Sequence, residues 1–300
     1  MGTVSNSVRF KNYFMQKSLL IILGISFFLV SGCAQKKDHL ITIKTNHGEM
    51  VAILYDETPK HKENFIKLVK EHYYDSLLFH RVIQGFMIQG GDPDSKKAGQ
   101  DQRLGNGGPG YTIPAEFNPK LVHEKGALSA ARLGDAMNPE KASSGSQFYI
   151  VQGTKQNEAQ LTVDREKFNT ALQQFFQRPE NQPYRDSINS FIQNQDEAGF
   201  NAYLAQLKPV VETQLGIKVD KEISPEIVKV YTTEGGTPQL DGQYTVFGKV
   251  IKGLEVIDKI AAVGKDPNDR PLEDVWMEIT VEEIPRRKIE KQYGYTYPEK

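Results

Sequence analysis

The chain has 300 residues, with 37 Lys or Arg against 38 Asp or Glu and a formal net charge of −1. That near balance excludes a basic field of the kind that gathers nucleic acid or docks on anionic lipid. The 15 Phe and 13 Tyr supply a packed core and exclude disorder over most of the length, which suits one large domain or one domain with a sizeable insertion.

At the N-terminus, Arg9, Lys11 and Lys17 precede a continuous apolar run over residues 19–30, too short to span a bilayer as a mature helix. Ser31-Gly32-Cys33 closes the run with small residues, and a polar stretch over residues 35–38 follows at once. Cys33 is the only cysteine, so it forms no intramolecular disulfide, and no ligand cluster surrounds it. The segment resembles a bacterial lipoprotein signal over residues 1–32. The resemblance implies that Cys33 is lipidated and becomes the first residue of the mature chain. Translation from Met15 would give a more compact leader and leave residues 1–14 as an over-called extension. The competing reading is a buried core helix with an incidental thiol; the polar stretch after Cys33 argues against it.

Residues 40–44 and 50–55 are strand-like runs joined by Asn46-His47-Gly48, which predicts a hairpin. Thr58-Pro59 opens a helix, with Thr58 as its cap and Phe65, Leu68 and Val69 at helical spacing. Residues 79–89 supply two strands, and the Gly-rich stretch 99–110 is loop. It lacks the Lys-Ser/Thr ending of a phosphate-binding loop and precedes no clear helix. Residues 126–132, 146–151 and 244–250 again read as strands. Leu254, Ile257, Asp258 and Ala261 mark a short helix, and residues 276–284 alternate as a closing strand.

Between residues 155 and 236 the pattern changes to helices. Phe168, Leu172, Phe175 and Phe176 form one stripe, ended by Pro179. Tyr184, Ile188, Phe191 and Ile192 form a second. Phe200, Tyr203, Leu204 and Leu207 form a third, stopped by Pro209, with Gly199 separating the last two. Residues 285–300 read as a charged, Tyr-rich tail without periodicity.

The most informative stretch is FHRVIQGFMIQGGD over residues 79–92. It places one guanidinium (Arg81) and one amide (Gln89) beside a Phe86/Met87 floor, with Gly85 between two short strands. With SSGSQFYIV (residues 143–151) and LDGQYTVFGKVIKGLEVIDKI (residues 240–260), it resembles the cyclophilin family of peptidyl-prolyl isomerases. The resemblance covers residues 40–151 and 237–284. It implies a mainly β fold, an eight-stranded closed barrel capped by two helices, with a groove on the outer face where a proline enters a hydrophobic pocket. It implies catalytic roles for Arg81 and Gln89, and places Phe86, Met87, Tyr149, Leu240 and Tyr244 around the pocket. Ala131, Arg132 and Gln147 fall along the groove, with the backbone at 132 anchoring the peptide. No cofactor or metal is implied. His80 invites a general-base story, but isomerisation transfers no proton, so His80 reads as packing. Gln239 stands where many eukaryotic members carry a tryptophan that contacts cyclosporin, which implies a weaker hold on that inhibitor. Tyr244 stands where many carry histidine, Tyr149 replaces the usual pocket phenylalanine, and the loop between Arg132 and Ser143 is longer than the common pattern.

The sequence therefore divides into a lipoprotein signal (1–32), a first barrel part (40–154), a helical insertion (155–236), a second barrel part (237–284) and a tail (285–300). The expected function is X-Pro isomerisation during folding of exported or envelope proteins. Proline-containing polypeptides are the partners, a lipid anchor sets a periplasm-facing envelope location, and no nucleic acid is involved. The alternatives are a low-turnover Pro-peptide-binding chaperone or docking lipoprotein, and a purely structural lipoprotein. The intact Arg81, Phe86, Met87 and Gln89 argue against both.

Overall fold

The structure, a computed structural model, describes residues 36–298. The leader over residues 1–32 and Cys33 lie outside the described residues. The predicted hairpin forms, with β1 (Lys37–Thr45) and β2 (Gly48–Leu54) pairing antiparallel and Thr45 opposite Gly48. β3 (Leu77–Ile83), β4 (Met87–Gly90), β6 (Ala127–Ala130), β8 (Phe148–Val151), β9 (Val246–Lys252) and β10 (Trp276–Pro285) complete a closed barrel in the order β1-β10-β3-β4-β8-β6-β9-β2. β5 (Thr112–Ile113) and β7 (Ser143–Ser144) pair outside it. The helices among the described residues are α1 (Pro59–Lys70), α2 (Glu158–Leu161), α3 (Arg165–Phe176), α4 (Gln182–Gln193), α5 (Glu197–Leu215), α6 (Pro225–Thr233), α7 (Leu254–Ala261) and α8 (Arg286–Tyr293).

Alternation along the strands sorts side chains between two faces. On β8, Phe148 and Ile150 enter the barrel interior, while Tyr149 and Val151 join a separate cluster on the outer wall. α1 and α7 cap the barrel: Phe65, Leu68 and Val69 from one, and Val256, Ile257 and Ile260 from the other, pack into the same interior as Ile41, Phe79 and Phe148. The start of α1 differs from expectation. Thr58 occupies the cap position, but its hydroxyl caps nothing and is buried without a partner. The Glu116 carboxylate instead accepts the Lys60 and His61 backbone N–H groups at 3.1 and 3.0 Å. A charged acceptor at a helix N-terminus outcompetes a hydroxyl.

The helical block builds a second, smaller core from Phe168, Leu172, Phe175, Leu207, Val211 and Val219. α5 does not stop at Pro209 but runs on to Leu215, because Leu207 and Val211 on either side of the proline bury in that core. Gly199 lies inside α5, its N–H capped by Asp196 at 2.8 Å; the break from α4 falls at Gln195, whose φ is +55°. The ends of the block meet: Gly236 bridges both Thr154 and Glu124. Only glycine fits there, since φ is +152° and a Cβ would sit 2.3 Å from the His123 carbonyl oxygen. The C-terminal stretch also differs from expectation. α8 inserts Ile289, fully buried, against Leu40, Val51 and Ile53 on the barrel's outer surface. Arg286 pairs with Asp56 at 2.6 Å and lies over the Tyr297 ring at 4.2 Å.

Candidate functional site

Strict alternation from Phe79, which points into the barrel, would send Arg81 inward as well. The strand register instead shifts between them, so that Phe79 pairs with Gly90 but Arg81 with Gln89. His80 is the extra residue of a β-bulge. The inward set resumes at Val82, and Arg81 stands on the outer face across from Gln89. The strands join through a turn at Gly85, whose φ is +76°. Phe86 belongs to that turn rather than to β4, which begins at Met87.

An amide relay fixes the guanidinium. The Gly107 carbonyl accepts from Gln147 Nε2 at 2.7 Å, Gln147 Oε1 accepts from Gln89 Nε2 at 3.1 Å, and Gln89 Oε1 accepts from Arg81 at 3.3 Å. Asp269 holds the other side of Arg81 at 3.8 Å. Gln147 thus stands behind the groove as a brace and is buried, whereas the sequence expectation placed it along the groove. Asp92, fully buried, anchors the loop that presents Gly107 by accepting the Gly105 N–H at 2.5 Å. Arg270 anchors the start of the same loop, donating to the carbonyls of Gly99, Gln100 and Gln102 at 2.7, 3.1 and 3.0 Å.

A cavity of about 910 Å³ lies beside this relay. Phe86, Met87, Tyr149, Leu240 and Tyr244 line its apolar end, Ala131 and Arg132 its side, and Arg81 and Gln89 its polar rim. The structure therefore brings together every residue expected there from the sequence except Gln147. The Arg132 guanidinium lies 4.5 Å over the Tyr244 ring and is tied to the Gln243 carbonyl at 2.9 Å, so it stiffens the pocket wall. Tyr149 and Tyr244 meet edge to face at 5.9 Å. Burial pushes the Tyr149 hydroxyl well above the usual phenol range. Gln239 is exposed in the single turn Pro238–Leu240 beside the pocket.

The site offers an apolar clamp with the Arg81 guanidinium held at its edge. His80 lines the cavity, but burial lowers its pKa to about 4, against the opposing pull of Asp92. Near pH 6 the imidazole is neutral in the folded chain, while in the unfolded chain, with an ordinary pKa of about 6.5, it is already largely protonated. Stability therefore falls as pH drops from about 6.5 through about 4, by roughly 3 kcal/mol from this group. Denaturant melts between pH 7 and pH 4 should show His80→Phe losing less stability with acid than the native chain; parallel curves would show that His80 carries no such effect.

A second constellation has the order of a hydrolase triad: Ser143 Oγ lies 2.9 Å from His61 Nε2, and His61 Nδ1 lies 2.6 Å from Glu116. Ser143 and His61 are each only 2 % exposed, so no substrate carbonyl reaches the hydroxyl. The chain of bonds ties α1 to β7 and to the loop that carries Glu116. Among the described residues no group of His, Cys, Asp and Glu could hold a metal ion. Sequence reasoning missed Asp92, Asp269 and Arg270. Asp92 closed the quoted motif and could have been found there; the others act through loops whose approach no local pattern announces.

The family model described as cyclophilin type peptidyl-prolyl cis-trans isomerase/CLD matches residues 40–170 and 227–281. The unmatched residues between contain most of the second core. A Streptococcus pyogenes serotype M6 protein named "Putative bifunctional phosphatase/peptidyl-prolyl cis-trans isomerase" is 33% identical over 241 residues, covering 79% of this chain and 37% of that protein. This chain thus spans little more than a third of that relative. A Staphylococcus aureus (strain USA300) protein named "Putative peptidyl-prolyl cis-trans isomerase" is 31% identical over 251 residues, covering 83% of this chain and 94% of that protein. Among solved structures, a Cryptosporidium parvum cyclophilin type peptidyl-prolyl cis-trans isomerase aligns with a TM-score of 0.47 at 21% identity, covering 83% of this chain and 100% of that one.

Proposed function

The chain belongs to the cyclophilin-type peptidyl-prolyl cis-trans isomerases, and we propose that it accelerates X-Pro isomerisation in exported polypeptides from a lipid-anchored position in a bacterial envelope. Rotation about a peptide bond costs about 18–20 kcal/mol because resonance must be broken. In the twisted state the proline nitrogen becomes pyramidal and gains a lone pair. A donor aimed at that lone pair lowers the barrier, while an apolar clamp on the ring holds the twisted geometry. Phe86, Met87, Leu240 and the Tyr149 ring form the clamp. Arg81 is the donor, always charged and with its N–H groups in a fixed fork. The single observation that carries this reading is the Arg81–Gln89–Gln147 relay at the cavity rim, which orients the guanidinium before substrate arrives. In a protease-coupled assay on an Ala-Pro peptide, the folded chain should accelerate the slow cis phase in proportion to enzyme. A slow phase unchanged by enzyme would overturn the reading.

The leader pattern around residues 9–33 supports the envelope position. Cys33→Ser should then shift the protein from the membrane to the soluble fraction. One fatty chain holds weakly, but a lipoprotein cysteine carries more than one, so native anchoring should be firm. Native protein found soluble and unlipidated would sink the anchor while leaving the isomerase reading intact.

A further inference from the structure

A tyrosine in the proline pocket creates a need that a phenylalanine would not. Its hydroxyl is buried and must be satisfied. Tyr149 is 5 % exposed, and its oxygen lies 2.9 Å from His123 Nε2. His123 is itself fully buried and stacks on the Tyr149 ring, with centroids 6.0 Å apart and planes 12° from parallel. The other imidazole nitrogen, Nδ1, lies 2.9 Å from Asp241 Oδ1, which also accepts the His123 backbone N–H at 2.9 Å. In the neutral tautomer that donates Nδ1–H to this carboxylate, Nε2 carries a lone pair, and the Tyr149 hydroxyl donates to it. One oxygen of Asp241 remains, and it accepts from the Tyr231 hydroxyl at 2.6 Å.

Tyr231 comes from elsewhere in the fold. It sits on α6, at the junction where the helical block returns to the barrel, and its side chain is fully buried. Its backbone carbonyl accepts from the Gln156 N–H, on the segment leaving the barrel at that junction, at 2.9 Å. Resting on the isomerase reading above, we propose that Tyr231 is a positioning residue for the proline pocket, acting through Asp241 and His123 on Tyr149. The chain Tyr231–Asp241–His123–Tyr149 holds the hydroxyl hydrogen away from the cavity and fixes the ring plane that one face of the proline meets. Tyr244 and Arg132, packed in turn on Tyr149, inherit that orientation. The Tyr231–Asp241 hydrogen bond therefore links the helical block to the site.

The test is a double-mutant cycle on kcat and KM for an Ala-Pro peptide, with thermal melts alongside. Tyr231→Phe removes one hydroxyl and keeps the ring. It should raise KM about threefold to tenfold, the range one hydrogen bond is worth, with a smaller effect on kcat. In the Tyr149→Phe background His123 has no hydroxyl to hold, so adding Tyr231→Phe should leave KM unchanged. The same fold-change on both backgrounds would make Tyr231 a strut only and overturn the proposal. Asp241→Asn serves as the second variant if Tyr231→Phe folds poorly, with the same expectation. A readout independent of turnover is the ring-nitrogen spectrum of His123. It should report a single tautomer with Nε2 unprotonated, and Tyr231→Phe should shift both nitrogens. Unmoved nitrogens would reject the chain of bonds. A native enzyme with no turnover but with shifting nitrogens would reject the isomerase reading and retain the coupling.

Discussion

Arg81→Ala should lower kcat/KM for an Ala-Pro peptide by two decades or more and leave the fold intact. Two decades correspond to about 2.7 kcal/mol of barrier, which a charged donor acting in the twisted state can supply. The fold survives because the Arg81 side chain is 42 % exposed, and its partners Gln89 and Asp269 also face the groove or solvent. Arg81→Lys keeps the charge and loses the fork, so it should recover only part of the loss. The check is kcat/KM beside a thermal melt. An unchanged rate would remove Arg81 from the mechanism, and a lost melt would make it a structural arginine.

The second large effect concerns the helical block. Val163 and Asp220 form a β-bridge, with the Asp164 N–H donating to Val219 O at 2.7 Å and the Lys221 N–H to Thr162 O at 2.9 Å. The chain on either side of the second core is thus already closed. Replacing residues 164–219 by a short Gly/Ser turn removes α3, α4 and α5 with nearly all of that core. It should leave a barrel that melts cooperatively and turns over within a few-fold of the native chain. The larger excision of residues 158–234 also removes Tyr231 on α6, whose hydroxyl bonds Asp241. It should weaken both melting temperature and turnover. If the smaller excision prevents folding, the helical block supports the barrel and the two-core description is wrong.

The barrel strands, the two capping helices and the groove residues are legible in the sequence because they follow period and motif. Phe65, Leu68 and Val69 repeat at helical spacing, and Arg81, Phe86, Met87 and Gln89 sit in one continuous run. What is not legible depends on contacts between distant segments. Thr58 looks like a cap until Glu116 supplies a better acceptor. Pro209 looks like a stop until Leu207 and Val211 find a core on both sides of it. α8 has one strong apolar anchor, Ile289, and a single residue makes no period. The bulge at His80 decides that Arg81 faces outward, yet a bulge leaves no trace in hydrophobic alternation. His123 carries no motif at all; its role appears only when Tyr149 needs a partner.

The central claim is that the groove lowers the X-Pro barrier by clamping the ring and donating from Arg81, without moving a proton. Magnetisation-exchange spectra of an Ala-Pro peptide with catalytic amounts of the native protein, taken in H2O and D2O, test it most directly. Uncatalysed exchange takes tens to hundreds of seconds. The account predicts exchange fast enough to give cross-peaks between cis and trans proline signals, at nearly equal rates in the two solvents. Exchange at the uncatalysed rate, or a rate that drops sharply in D2O, would contradict it.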